Sequence, residues 1–108
     1  MNDIARHFST AAIVASSSAN SVAPRVAFGP FASGVVLVAN TGGCTQINWH
    51  GAASAEGTPL PLQASGAAVT SAIVVGAIPF PDQTFALPFV VPVVVGATSC
   101  SMTVCLKG

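Results

Sequence analysis

The stretch ALPFVVPVVVGATSCSMTVCLKG, residues 86–108, holds two apolar runs separated by a GAT turn. In the second run, residues 99–107, Cys100, Met102, Val104 and Leu106 fall on one face of an extended chain. Ser99, Ser101, Thr103, Cys105 and Lys107 fall on the other. This is the alternation of a half-buried strand. The first run, residues 88–95, has no polar side chain, so both of its faces need cover. Pro88 and Pro92 are four positions apart, and backbone N–H groups two apart point to the same side of a strand. Both missing donors therefore lie on one side, which predicts an edge strand with that side turned away from its own sheet.

The rest of the chain has the same character. Its 108 residues suit one domain. Charged residues make up 6%, against about 25% in an ordinary soluble domain. Hydrophobic residues make up 52%. Val, Thr, Ser, Gly and Pro are plentiful and helix formers are scarce, which points to an all-β protein with many turns. Three cations and three anions cannot coat the surface, so part of it is expected to be buried against other subunits. Three scattered cations are too few to neutralise a run of phosphates, which argues against nucleic acid as a partner. The longest apolar run falls well short of the roughly 20 residues of a membrane-spanning helix, and Pro92 interrupts it. The N-terminus faintly resembles a signal peptide, but its apolar segment, residues 11–15, is short and Asp3 precedes it. The expectation is an uncleaved protein made inside the cell.

Turn signals divide the chain into short segments. Residues 1–21 read as an N-terminal arm or first strand, with residues 7–16 the strand-like part, and residues 22–108 as the main domain. Residues 22–28 are strand-like around Pro24, and GPFASG turns the chain. GVVLVAN, residues 34–40, reads as a central strand buried on both faces. NTGG is a turn, and residues 44–51 read as its hairpin partner, with Ile47 and Trp49 on one face and Gln46, Asn48 and His50 on the other. Residues 68–75 form a β-branched strand. GAIPFPDQTFALP is a long connection. The pattern predicts a single antiparallel β-sandwich or jelly roll of seven or eight short strands with an extended N-terminal arm.

Candidate chemistry is sparse. Cys100 and Cys105 lie on opposite faces of one strand, roughly 17 Å apart, and cannot bridge to each other. Cys44 could meet one of them across the fold, but buried free thiols are the expectation. Cys44 and His50 lie about 20 Å apart along a strand, too far to share a metal ion. His50 with Asp82 or Glu56 and a serine lacks the GxSxG elbow of a hydrolase. The residues therefore predict no catalytic, metal or cofactor site. Trp49 beside His50 could stack on a sugar, but its alternation with Ile47 directs it into the core. Phe28, Phe31, Phe80, Phe85 and Phe89 sit in or near proline-rich loops and are expected to plug the ends of the fold or pack into a neighbour.

The segment from Gly34 to Gly108 resembles small structural proteins of tailed bacteriophages. The resemblance rests on a hydrophobic strand ending in NTG, an aromatic-bearing strand followed by the loop GAASAEGTPLPL, an LP turn, and a last strand ending in KG. It covers about two thirds of the chain and rests on turn and packing patterns. It implies a virion component of sandwich or jelly-roll type, a capsid decoration or cement protein, often trimeric, with no catalytic residues. Such a protein would be made in the host cytoplasm and sit on the capsid surface. Its partners would be copies of itself and the major capsid protein. Phe89, Val90, Val91, Val93 and Val94, with the loop aromatics Phe80 and Phe85, are then the expected interface. A tail or fibre module, a carbohydrate-binding adhesion module and a bacterial surface or filament subunit are the alternative readings.

Overall fold

The computed structural model describes residues 8–28 and 31–108. Asp3, Arg6 and His7, and the Gly29–Pro30 part of the GPFASG turn, lie outside the described residues.

The protein is all-β. Its strands are β1 (Phe8–Ser16), β2 (Val26–Ala27), β3 (Ser33–Val38), β4 (Gln46–Ala52), β5 (Leu60–Pro61), β6 (Gln63–Ala64), β7 (Ala67–Ala68), β8 (Thr70–Ala72), β9 (Gly76–Pro79), β10 (Phe89–Val95) and β11 (Ser99–Lys107). Among the described residues, one 3-10 turn, Asp82–Ala86, interrupts them. One mixed sheet runs in the order β5-β4-β10-β1-β11-β3-β9, with β2 also on β10 and β8 also on β4. All its pairings are antiparallel except that of β1 with β10, a parallel bridge at Ser16 and Val93 alone. The sheet therefore bends at one narrow joint. On one side of it lie β1, β11, β3 and β9; on the other, β10 with β4 and the short strands beside them. The sheet curls like a half-barrel, and residues from both parts share one core, among them Val36, Ile47, Trp49, Val90, Met102 and Val104. β6 and β7 form a separate hairpin around Ser65 (φ 53°) and Gly66 (φ 81°). Both central residues have the positive φ that a tight two-residue hairpin turn requires.

Residues 99–107 form the strand that their alternation predicts, with Cys100, Met102, Val104 and Leu106 inward. Ile47 and Trp49 likewise face the core from β4. Residues 8–16, the strand-like part of the arm, pair along their whole length with β11 of the same chain. Other expectations are overturned. The apolar strand β3 is buried on one face only, with Val36 and Val38 inside and Leu37 exposed. Its neighbours are β11 and β9, so β4 is not its hairpin partner. The NTGG turn is present, closed by the Cys44 N–H on Thr41 O (2.9 Å), but it carries the chain from one part of the sheet to the other. Residues 68–75 break into short pieces, and Gly76–Pro79, expected within a connection, is a strand.

The largest correction concerns β10. It is interior, paired over its full length with β4 and flanked on its other side by β2 and β1. The inference about its prolines holds only in part. Trp49, opposite Pro92, turns its N–H to Val69 O (3.1 Å) and its carbonyl to the Leu62 N–H (2.9 Å), away from β10. Pro92 therefore faces β4 across a pair with no ladder bond, and its missing donor points to the other side. The carbonyl of Pro88 also faces that side, accepting from the Phe28 N–H (3.4 Å). There β2 pairs at Phe89 and Val90 and β1 touches at Val93, so Pro92 falls between the two. An interior strand tolerates the proline because no bond is required at that point.

After β10 the chain turns at Gly96, whose φ is 103°. A Cβ there would lie 2.6 Å from Gly43 O and 3.3 Å from Cys44 Cα. The positive φ and the close backbone approach both require glycine. Gly96→Ala is expected to lower the thermal midpoint in a calorimetric melt by roughly 4–8 °C or more, the equivalent of about 1 kcal/mol in a domain of this size. An unchanged midpoint would contradict this packing of the two turns.

Candidate functional site

The residues expected to form an interface are largely used within the chain. Val90 and Val94 project into the main core. Val91 and Val93 project to the opposite face of β10, where Ala23 covers them in a second, small cluster. Phe80 is buried, while Phe85 and Phe89 are half-buried. The second apolar face of β10 thus has an intramolecular cover.

Arg25 holds that cover in place. Its Nε–H donates to Ala23 O (3.4 Å), Nη1 to Ser54 O (3.2 Å) and Gly57 O (3.0 Å), and Nη2 to Asn20 O (3.2 Å) and Ser21 O (3.1 Å). A guanidinium has five N–H donors in a fixed fork, and here each has a backbone carbonyl. One side chain therefore ties the segment carrying Ala23 to the loop after β4. The sequence singles out Arg25 only as one of three cations. A lone cation in an uncharged stretch is the one sign of a role, and it does not say which carbonyls it meets.

Four aromatic residues pack together in the main core. Phe28 stacks on Phe85 (centroids 4.7 Å apart) and meets Phe80 edge-on (5.2 Å), while Phe80 also packs against Trp49 (5.1 Å). These distances suit favourable aromatic pairs. Trp49 is 1% exposed, and its Nε1–H donates to Ser71 Oγ (2.9 Å), so its ring has no face free to stack on a sugar. His50, next to it, is half-buried on β4 beside Pro61 of β5, and its Nδ1–H donates to Asn48 O (3.2 Å). Asp82 begins the 3-10 turn and Glu56 lies in the loop after β4, both exposed. Among the described residues, no three His, Cys, Asp or Glu side chains converge as metal ligands.

What the fold leaves open is a surface. On the outer face of β1, β11, β3 and β9, the register places Thr10, Cys105, Val35 and Pro79 in one cross-strand row. Ala12, Thr103, Leu37 and Ala77 make the next. Phe8 and Val14, at the two ends of β1, are 66% and 55% exposed on this face. Lys107 is its one charge among the described residues. Among the described residues, the adjoining edge is also open. β1 meets β11 on one side, and on the other it meets β10 only at Ser16. The Ser17 N–H continues the β11 ladder by donating to Thr98 O (2.9 Å). By alternation, the N–H groups of Thr10, Ala12 and Val14 point to the unpaired side. Beyond that edge lies a groove of about 470 Å³ between β1 and residues 24–27, floored by Val104 and Leu106.

The thiols divide in the same way. Cys105 is half-exposed on the outer face, whereas Cys44 and Cys100 are both buried in the core. The Cys44 thiol donates to Ser99 O (3.3 Å), one peptide group from Cys100. Burial pushes the Cys100 thiol up, and the neighbouring Cys44 thiol adds to the shift.

Comparison with family models, with curated proteins and with solved structures finds no match for this chain.

Arg25→Lys keeps the charge but not the fork. It is expected to lower unfolding stability by about 2 kcal/mol in a urea titration, and to expose the segment around Ala23 to limited proteolysis before the rest of the chain. Wild-type stability in this variant would show that the five contacts contribute nothing.

Proposed function

We propose that the protein is a non-enzymatic structural subunit that assembles with copies of itself. The observation that carries this reading is the open edge of β1. From Phe8 to Ser16 it has no charge and no proline. It bears exposed Phe8 and Val14, and from Phe8 to Ala15 its outer side has no strand partner among the described residues. Folded proteins normally blunt such an edge with charge, proline or a bulge. Here it adjoins a sheet face almost free of charge. A second copy is the occupant that fits best: an identical strand laid antiparallel on β1 is uncharged and self-complementary, and the two outer faces would lie side by side.

The finer reading follows the resemblance to tailed-phage structural proteins. The subunit would be a capsid decoration or cement protein, a jelly-roll-like unit formed by the curled sheet, acting as a trimer or other homo-oligomer on the major capsid protein at the virion surface. A stable contact of this kind buries about 1,000 Å² or more. With so little charge involved, it should weaken little with added salt.

Ala12→Pro removes a donor that points to the unpaired side and leaves the β11 ladder intact. Light scattering on a sizing column should show wild-type oligomers that persist in high salt, and an Ala12→Pro monomer that keeps the wild-type circular dichroism spectrum and still melts cooperatively. A wild-type monomer at high micromolar concentration would overturn self-assembly. Copy number in purified particles tests the virion reading separately: a number comparable to that of the major capsid protein supports decoration, and a handful per particle favours a tail or fibre.

A further inference from the structure

We propose that Cys44 and Cys100 are a disulfide-forming pair which, when the chain folds in oxidising surroundings, staples the turn before β4 to the start of β11. They come from opposite parts of the curled sheet and are separated by more than half the chain, yet both lie in the same core cluster. Two further contacts hold their segments together. The Cys44 thiol is on the carbonyl of the residue before Cys100, and the backbone at Gly96 rests on that of Gly43 and Cys44. The Thr45 N–H, donating to Val95 O (2.8 Å), fixes the same junction from the other flank. The third thiol is excluded. Cys105 points to the opposite face of β11, roughly 17 Å along the strand from Cys100, beyond the span of a disulfide.

The chemistry is thiol–disulfide exchange with a low-molecular-weight disulfide as oxidant. The thiolate of one cysteine attacks the external disulfide and expels one thiolate, forming a mixed disulfide. The second cysteine, deprotonated, attacks the protein sulfur of that bond and expels the other. Two protein thiols lose two electrons and two protons; the oxidant becomes two thiols. Burial protects the reduced pair in the folded state, so the bond forms as the chain folds or when the two turns open together.

The test uses the full chain with Cys105→Ser, which removes intermolecular bridging, refolded from denaturant in a glutathione redox buffer. The expected product has no titratable thiol in denaturant, a mass lower by two hydrogens, and a proteolytic peptide joining Cys44 to Cys100. Its melting midpoint should lie roughly 5–15 °C above that of the same sample after dithiothreitol. A Cys44→Ala, Cys105→Ser chain, carried in parallel, should keep its single thiol or acquire one glutathione. Two free thiols, two glutathione adducts, or an oxidised form that melts below the reduced one would overturn the proposal.

Discussion

The fold depends on one constraint. β10 is apolar on both faces, and a strand buried on both faces needs two separate covers. The main core supplies one, through Val90 and Val94. The other is a loop segment, and loops seldom make good covers because their backbone groups must also be satisfied. Arg25 resolves this by placing five donors on five carbonyls, three of them in the covering segment and two in the loop after β4. A chain with so few charges uses one of them to hold its backbone over valine.

This position of β10 sets the rest of the sheet. Its fully paired side fixes β4, whose far side carries β5 and β8, with Trp49 bonded to Leu62, Val69 and Ser71 beside them. Its other side is shared by β2 and a single contact with β1, which leaves the remainder of β1 open among the described residues. The open edge and Pro92 lie together: on that side of β10 the proline removes the one donor that falls between the β2 and β1 contacts, and β1 diverges from β10 beyond Ser16. The surface proposed for assembly thus adjoins the apolar strand. It consists of β1 and its neighbours, not of β10 itself.

What the sequence makes legible follows from the range of the interactions. The alternation in residues 99–107 and at Ile47 and Trp49 is local and reads directly as strands with a core face. The proline spacing correctly places both missing donors on one side of β10, because that too is local geometry. Which elements stand on that side is a tertiary matter, so the sequence alone predicts an edge strand where the fold has an interior one. The apolar run in β3 misleads for a related reason. Leu37 is as hydrophobic as its neighbours but faces outward, and hydrophobicity alone does not separate a core face from an exposed one. The carbonyls around Arg25 and the meeting of Cys44 with Cys100 depend on loops brought together only in the folded chain.

The claim on which the rest stands is that one chain covers both faces of β10 and keeps it interior. Hydrogen exchange of the Val91 and Val93 amides, which point toward β4, tests it most directly at a series of protein dilutions. Exchange is expected only through global unfolding, with protection that remains once dilution has dissociated any assembly. Fast exchange like that of the short outer strands, or protection that disappears on dilution, would show that β10 takes its cover from another molecule and would contradict it.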